Sequence, residues 1–325
     1  MLKFILRRLI LSIPVLLGVS ILSFLIISAA PGNFLDVFRL DPSISRETVQ
    51  RLEREFGFDK DPFTQYFTWL FQVTKGNWGY SFQFKQPVFN LIWQRLGATL
   101  LLSLTTLALS WAIGIPLGIY AALKQYSFKD QLSSVIAFLG LSIPNFFFGL
   151  LFLYFASRTR LFPIGGMLSV NSSQMNTWQL IGDYFWHVIG PAITLGFSGL
   201  AGIMRQMRGQ FLDQLHMDYV EFSKAKGMPR KIVFYKHALR NAINPLVTIF
   251  GYSLSGLLGG AVLTETVFGW PGMGRLVIQA LTAQDLYLVM ASLMVSSLML
   301  IIGNLAADIL LAVVDPRIRY RFHQR

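Results

Sequence analysis

Asp218-Tyr-Val-Glu221-Phe-Ser-Lys-Ala-Lys-Gly227-Met-Pro229, continued by Arg230-Lys231-Ile-Val-Phe-Tyr-Lys236-His237-Ala-Leu239-Arg240-Asn-Ala-Ile-Asn-Pro245, is a polar, basic stretch set between long apolar windows. Its residue order predicts two short helices with a break between them. Asp218 is placed to accept from the first free amides, and Glu221, three residues on, to reach back in a capping box. Gly227 supplies a left-handed residue to end the first helix, and Pro229 prevents its continuation. A compact helix-turn-helix held at a membrane surface suits docking by a soluble partner. That expectation governs how the flanking windows are read.

Charged residues make up 14% of the chain and hydrophobic ones 54%, whereas soluble domains carry about 25% charged residues. The composition is that of an integral membrane protein. A helix crossing a hydrocarbon core of about 30 Å needs roughly 20 apolar residues. Windows of that length free of Asp, Glu, Lys and Arg run 9–35, 96–123, 131–157, 184–204, 241–264 and 286–307. A further charge-free window, 161–182, holds Pro163, Gly165-Gly166 and a polar run from Ser169 to Thr177, and reads as a loop. The expectation is an all-α membrane protein with six transmembrane helices. The first apolar run exceeds the h-region of about 7–15 residues of a signal peptide, so residues 1–30 are expected to be an uncleaved anchor. Absence of cysteine excludes disulfides, thiolate metal sites and cysteine nucleophiles.

Lys and Arg in the short loops orient the chain. With the N-terminus inside, seventeen fall in cytoplasmic segments and three, Arg158, Arg160 and Arg275, in the two short outer loops. Both termini are therefore expected on the cytoplasmic side. The net charge of +12 is then topological, and no nucleic-acid partner is expected.

Residues 31–95 are too long for a simple connection and read as a small ordered extracytoplasmic cap between helices 1 and 2. Ser45 is expected to cap a helix to about Phe56, with Val49, Leu52 and Phe56 on one face and Gly57 as its stop. Asp61-Pro62 breaks the chain before an aromatic stretch, Phe63, Tyr66, Phe67, Trp69, Leu70 and Phe71, suited to a membrane interface. Gly114, Pro116, Gly118, Gly140, Pro144 and Gly149 permit close helix approach or local unwinding within spans. Residues 96–314 form the remaining transmembrane domain, with a cytoplasmic loop at 205–244 and a cytoplasmic tail at 315–325.

Enzymatic chemistry is missing. No Gly-x-x-x-x-Gly-Lys-Ser/Thr phosphate loop occurs, and the four histidines, His187, His216, His237 and His323, form no metal-binding spacing. The middle portions of the spans are nearly free of ionisable residues, which weighs against an ion-coupled transporter.

The 205–244 loop resembles the coupling segment of binding-protein-dependent ABC importer permeases. Glu221 stands six residues before Gly227 as in that pattern, Leu239 matches its later leucine and Pro245 a common proline. Phe222 and Ser223 replace its alanines, His237 its isoleucine and Arg240 its first proline. The chain is similar, over nearly its whole length, to the dipeptide/oligopeptide/nickel permease family. The likeness is carried by Ile5-Leu-Arg7-Arg8 through Pro14 and Gly18, Gly76-Asn-Trp-Gly79-Tyr-Ser81, Asp218-Tyr219-Val, Ala225-Lys-Gly227, His237-Ala-Leu-Arg240-Asn-Ala, Glu265-Thr-Val-Phe268-Gly-Trp-Pro271-Gly-Met-Gly274 and Val314-Asp315-Pro316-Arg317.

This resemblance implies a type I ABC importer transmembrane fold in a bacterial inner membrane, and the first permease of a pair. Its partners would be a homologous second permease subunit, two ABC ATPase subunits, an extracytoplasmic solute-binding protein and membrane lipid. ATP and Mg would belong to the ATPases, with no cofactor in this chain. Asp218, Tyr219, Glu221, Ala225, Gly227, Arg230, His237, Leu239, Arg240 and Pro245 would form the ATPase-coupling loop. The cargo implied is a short peptide or similar small solute; dipeptides, oligopeptides, glutathione-like tripeptides and metal chelates are not separable from these residues. A secondary transporter or channel without ATPases, and a membrane scaffold recruiting a soluble partner, are the competing readings.

Overall fold

A computed structural model describes residues 2–29, 35–40, 45–57, 59–247, 249–250, 253 and 261–314. The chain divides into two compact units, residues 1–99 with 271–301, and residues 100–270 with 302–325.

In the first unit, α1 (Leu2–Ala29) presents apolar side chains such as Ile10, Leu22 and Ile26 outward, as a helix in lipid does. α2 (Leu35–Leu40) and α3 (Arg46–Phe56) follow, linked by Arg39, which bonds Asp36 at 2.5 Å and also reaches Glu53. As expected, Ser45 caps α3 by accepting from the Thr48 amide, and Gly57 ends it at φ +72°. Val49 is buried; the side chains of Leu52 and Phe56 lie outside the described residues. Asp61-Pro62 does more than break the chain. Asp61 accepts from the Thr64 amide and Pro62 opens α4 (Pro62–Thr74), where its missing N–H is no loss. Helical spacing then sorts the aromatic stretch: Tyr66 and Trp69 pack with Phe24, Leu286 and Met290, while Phe63, Phe67 and Phe71 face outward.

A two-residue antiparallel pair, β1 (Tyr80–Ser81) and β2 (Gln86–Pro87), precedes α5 (Val88–Leu123). The hairpin is anchored by the wholly buried Asp285, which accepts from Ser81 Oγ at 2.7 Å and the Gln83 amide at 3.3 Å. Asp285 also accepts from the Leu288 amide at 3.4 Å, capping the long apolar C-terminal helix. Burial pushes its carboxyl above the ordinary aspartate value, opposed by the bond from Ser81.

The second unit is built on α8 (Thr177–Leu215), with α6 (Phe128–Ser142) and α7 (Asn145–Thr159) packed along it. Small residues set the approach: a Cβ on Gly118 would lie 2.6 Å from the Met204 carbonyl, and one on Gly140 2.9 Å from Ala201 Cβ. Asp130 and Arg208 join α6 to α8 through two bonds of 2.6 and 2.8 Å.

Among the described residues, four helices are long and apolar enough to cross a membrane: α1, α5, α8 and the C-terminal helix Leu286–Val314. The third expected span, 131–157, is not one straight helix. α6 and α7 meet at a 108° bend, and each, at 15 residues, extends only about 22 Å against a core of about 30 Å. Pro144 bars a helical Ile143, which is extended at ψ 124°. In the fifth expected span, 241–264, residues 248, 251–252 and 254–260 lie outside the described residues. The loop expected at 161–182 ends sooner, because Asn176 and Gln179 form a reciprocal capping box that starts α8 at Thr177.

Candidate functional site: the Asp218–Pro245 surface

The candidate loop begins later than its charges suggest. Residues 205–215 remain within α8, and the polypeptide leaves the helix only at His216. Met217 then occupies the N-cap of α9 (Asp218–Ala225) with no side-chain cap bond. The expected capping box is therefore absent: Asp218 is the first helical residue, not the residue before it, and the Val220 and Glu221 amides bond the Met217 carbonyl. Both acids still lie in the first turn, where the helix dipole favours negative charge.

The end of α9 is as anticipated. Gly227 adopts φ +76°, its amide bonds the Lys224 carbonyl at 2.9 Å, and the Met228 amide bonds the Ser223 carbonyl at 3.3 Å. These are the two bonds of a Schellman stop. Pro229, at φ −55° and ψ 132°, turns the chain into a second helical stretch: α10 (Arg230–Ile232), a π-helical segment (Val233–Ala238) and α11 (Leu239–Ala242). Residues 244–247, including Pro245, are again helical.

One core fastens these pieces to α8. Val220, Val233, Ala238, Ala242 and Leu246 are buried with Met207 and Phe211. The π segment explains the spacing: Val233 and Ala238 share a face five residues apart, as i→i+5 bonding requires. His237, which an ordinary helix would place beneath Val233, is half-buried instead. Tyr219 and Leu239 pack at the core's edge, and Tyr219 donates its hydroxyl to Gln214 Oε1 at 2.7 Å. Ser223 donates to the Tyr219 carbonyl.

The opposite face is exposed. It carries Asp218, Glu221, Ala225, Gly227, Arg230 and Arg240, together with four apolar residues that the motif alone does not single out as contacts. Phe222 is 61% exposed and Tyr235 55%, with Met228 and Ile232 also in solvent. Lys224, Lys226, Arg230, Lys231 and Lys236 surround them in the chain, and Lys226 Nζ lies 4.5 Å from the Phe222 ring. Period 3.6 from Val220 and Ser223 already assigns Phe222 to the outer face of α9, and that signal was available in the sequence. Aromatic residues and methionine are the types enriched at protein interfaces. Among the described residues no cluster of His, Asp and Glu is arranged to hold a metal.

Elsewhere in this unit the Glu265–Trp270 motif begins within α12 (Val262–Val267) and leaves it as a buried turn. Trp270 N–H bonds the Glu265 carbonyl at 2.8 Å, and Gly166 N–H bonds the Phe268 carbonyl at 2.8 Å. Ser169 donates through both its amide and its hydroxyl to Asp183, so the 160–176 connection is tied to α8. These are structural fastenings, not reactive groups.

A mostly helical protein with several helices long and apolar enough to cross a membrane is a multi-pass membrane component, and here an exposed helix-break-helix is seated on one of those helices. The chain belongs to the family of binding-protein-dependent transport system inner membrane components, whose model matches residues 114–320. The model for the N-terminal part of the membrane component of such systems matches residues 1–105. The chain is 40% identical over 322 residues to the oligopeptide transport system permease protein AppB of Bacillus subtilis (strain 168), covering 98% of this chain and 100% of that one. Over 338 residues it is 37% identical to the dipeptide transport system permease protein DppB of Escherichia coli (strain K12), covering 99% and 100%. A probable peptide ABC transporter permease protein, y4tP of Sinorhizobium fredii (strain NBRC 101917 / NGR234), is 36% identical over 318 residues, covering 98% and 99%.

Proposed function

We propose that this chain is the permease subunit of an ATP-driven importer and forms half of the translocation pathway for short peptides. The observation that carries the proposal is the outward face of Asp218–Arg240, with Phe222, Met228, Ile232 and Tyr235 exposed in a cationic surround on a core shared with α8. Full-length similarity to proteins named as oligopeptide and dipeptide permeases supports the cargo class. In this reading two ATPases receive the Asp218–Arg240 surfaces of this chain and of a second permease, and an extracytoplasmic solute-binding protein delivers the cargo. ATP binding closes the ATPases, and the surface passes that movement to the spans, which alternate between two states.

The finer architecture belongs to the same proposal. The α6–α7 pair counts as one broken span and residues 241–264 as another, giving six with both termini cytoplasmic. Residues 31–95 then form an extracytoplasmic cap, 1–30 the anchor, 96–314 the transmembrane domain and 315–325 the tail. Chemistry resides elsewhere: the purified chain is expected to hydrolyse no ATP, while the assembled complex hydrolyses it, faster with loaded binding protein. Robust turnover by the isolated chain, free of contaminating ATPases, would overturn this assignment.

A further inference from the structure

The first unit contains a half-open cavity of about 400 Å³ bounded by the end of α3, the length of α4, the β1–β2 hairpin and Tyr287. That volume lies in the range of small-ligand sites, about 300–1,000 Å³. Its walls are rich in hydrogen-bond donors. Arg54 and Lys60 contribute two cations, and neither forms an ion pair among the described residues. Asn77 uses its side-chain oxygen to receive the Gly79 amide at 3.1 Å, which leaves its amide N–H₂ to donate. Among the described residues no acidic side chain lines the cavity. Asp61, next to Lys60, directs its oxygens to the Thr64 amide and hydroxyl at 2.9 and 2.7 Å.

The walls are held in place by the backbone. Gln65 Nε2 donates to the Lys60 carbonyl at 2.8 Å and fixes the turn that carries Lys60. Gly79 has φ +92°, and a Cβ there would lie 2.9 Å from Tyr287 Cγ; only glycine lets the hairpin pass this close to the ring. Tyr80 and Tyr287 add aromatic surface beside the donors. Two cations without an ion pair, in a wall with no acidic side chain among the described residues, call for an anionic ligand, and the aromatic walls call for a ligand with a body as well as a charge.

We propose that this cavity is a binding site for a small solute that presents a carboxylate, received by Arg54 and Lys60, with the Asn77 side-chain amide donating to its remaining acceptors. The site is carried by this chain alone and does not depend on the ATPase-coupling role proposed for Asp218–Arg240.

The test is equilibrium binding to the full-length chain in lipid nanodiscs, read by calorimetry and tryptophan fluorescence. The probes are tri-alanine, tri-alanine C-terminal amide and acetate. Saturable binding of tri-alanine is expected, at least tenfold weaker for the amide, with acetate competing only at much higher concentration. Arg54→Gln and Lys60→Gln alter exposed side chains that the fold does not use, and each is expected to weaken tri-alanine about tenfold. Arg54→Lys retains most of the affinity, and Lys224→Gln on the other unit leaves it unchanged. Equal binding of acid and amide, affinity indifferent to both glutamine variants, or no binding at all each overturns the proposal. Loss of uptake in an importer assay with binding intact would instead count against the transport reading.

Discussion

Replacing Gly227 by valine isolates one physical effect. Gly227 sits at φ +76°, and nothing among the described residues lies within 4 Å of where a Cβ would stand. The new side chain therefore meets no neighbour, and the whole penalty is conformational. A β-branched residue held in the left-handed region costs about 1–3 kcal/mol. At 1.4 kcal/mol per factor of ten, the midpoint of about 2 kcal/mol lowers the population of the native turn roughly thirtyfold. The turn depends on two bonds, Gly227 to Lys224 and Met228 to Ser223; their loss frays the last turn of α9 and displaces Phe222. The buried side chains beneath, Val220 and Phe211, are untouched, so membrane insertion should be unchanged. Uptake, ATPase copurification and membrane abundance measured on the same samples check the expectation: uptake and copurification fall while abundance holds. Gly227→Asn, which tolerates positive φ, should retain most of both. Full uptake by the valine variant at normal abundance would refute the mechanical role of this turn.

A cysteine at Asn171 should react with an impermeant reagent on intact cells and one at Lys224 only after permeabilisation; the opposite labelling reverses the orientation. Asp285→Ala strands the Ser81 hydroxyl and the Gln83 and Leu288 amides, and should cost about 2–4 kcal/mol of local stability, seen as faster proteolysis of the hairpin. Because burial raises the Asp285 carboxyl, its protonated form suits the fold. Its contribution is fully present below the ordinary aspartate value and is lost as pH rises through the raised one. Asp285→Asn should flatten that slope in a thermal-melting series, and an unchanged slope would exclude Asp285 as its source. Asp130→Ala removes the buried partner of Arg208, whose side chain is 28% exposed; solvent moderates the loss to about 2 kcal/mol, measured as a lower melting temperature in detergent.

The apolar windows were legible because length and absence of charge follow directly from the hydrocarbon thickness. Local punctuation was legible where a single residue decides it, as at Ser45, Gly57 and Gly227. Other features depend on competition between neighbours. Asp218 is a good cap, yet Met217 holds that place, because the turn after α8 sets where α9 can begin and its first acids then serve the dipole. Thr177 starts α8 inside a window that looked like loop, since Asn176 and Gln179 satisfy each other's amides. The 108° bend at Pro144 was readable as a kinking position, but its size depends on α7 packing back along α8. The π segment was not legible at all: it exists because Val233, Ala238 and Ala242 share one core, and the chain gains an extra residue in the turn to bring them there.

The length of α8 links the site to the rest of its unit. Its 39 residues extend about 58 Å, well beyond the roughly 40–45 Å of a bilayer with its headgroups. The stretch from Arg205 to Leu215 accounts for about 15 Å of that, and it carries Met207 and Phe211, the residues on which Val220, Val233 and Ala238 are seated. A continuous hydrogen-bonded helix thus runs from the seat of α9 into the apolar segment, with Asp130 of α6 gripping it at Arg208. On the proposed function, force applied to Phe222 and Tyr235 reaches α8 through Val220 and Val233. The two faces of α9 consequently have separable roles. Phe222→Ala should weaken partner capture while leaving the seat intact, whereas Val220→Ala should leave the outer face in place and loosen its grip on α8. ATPase copurification and uptake, measured on both variants, separate the two: equal loss of capture in both would refute the division.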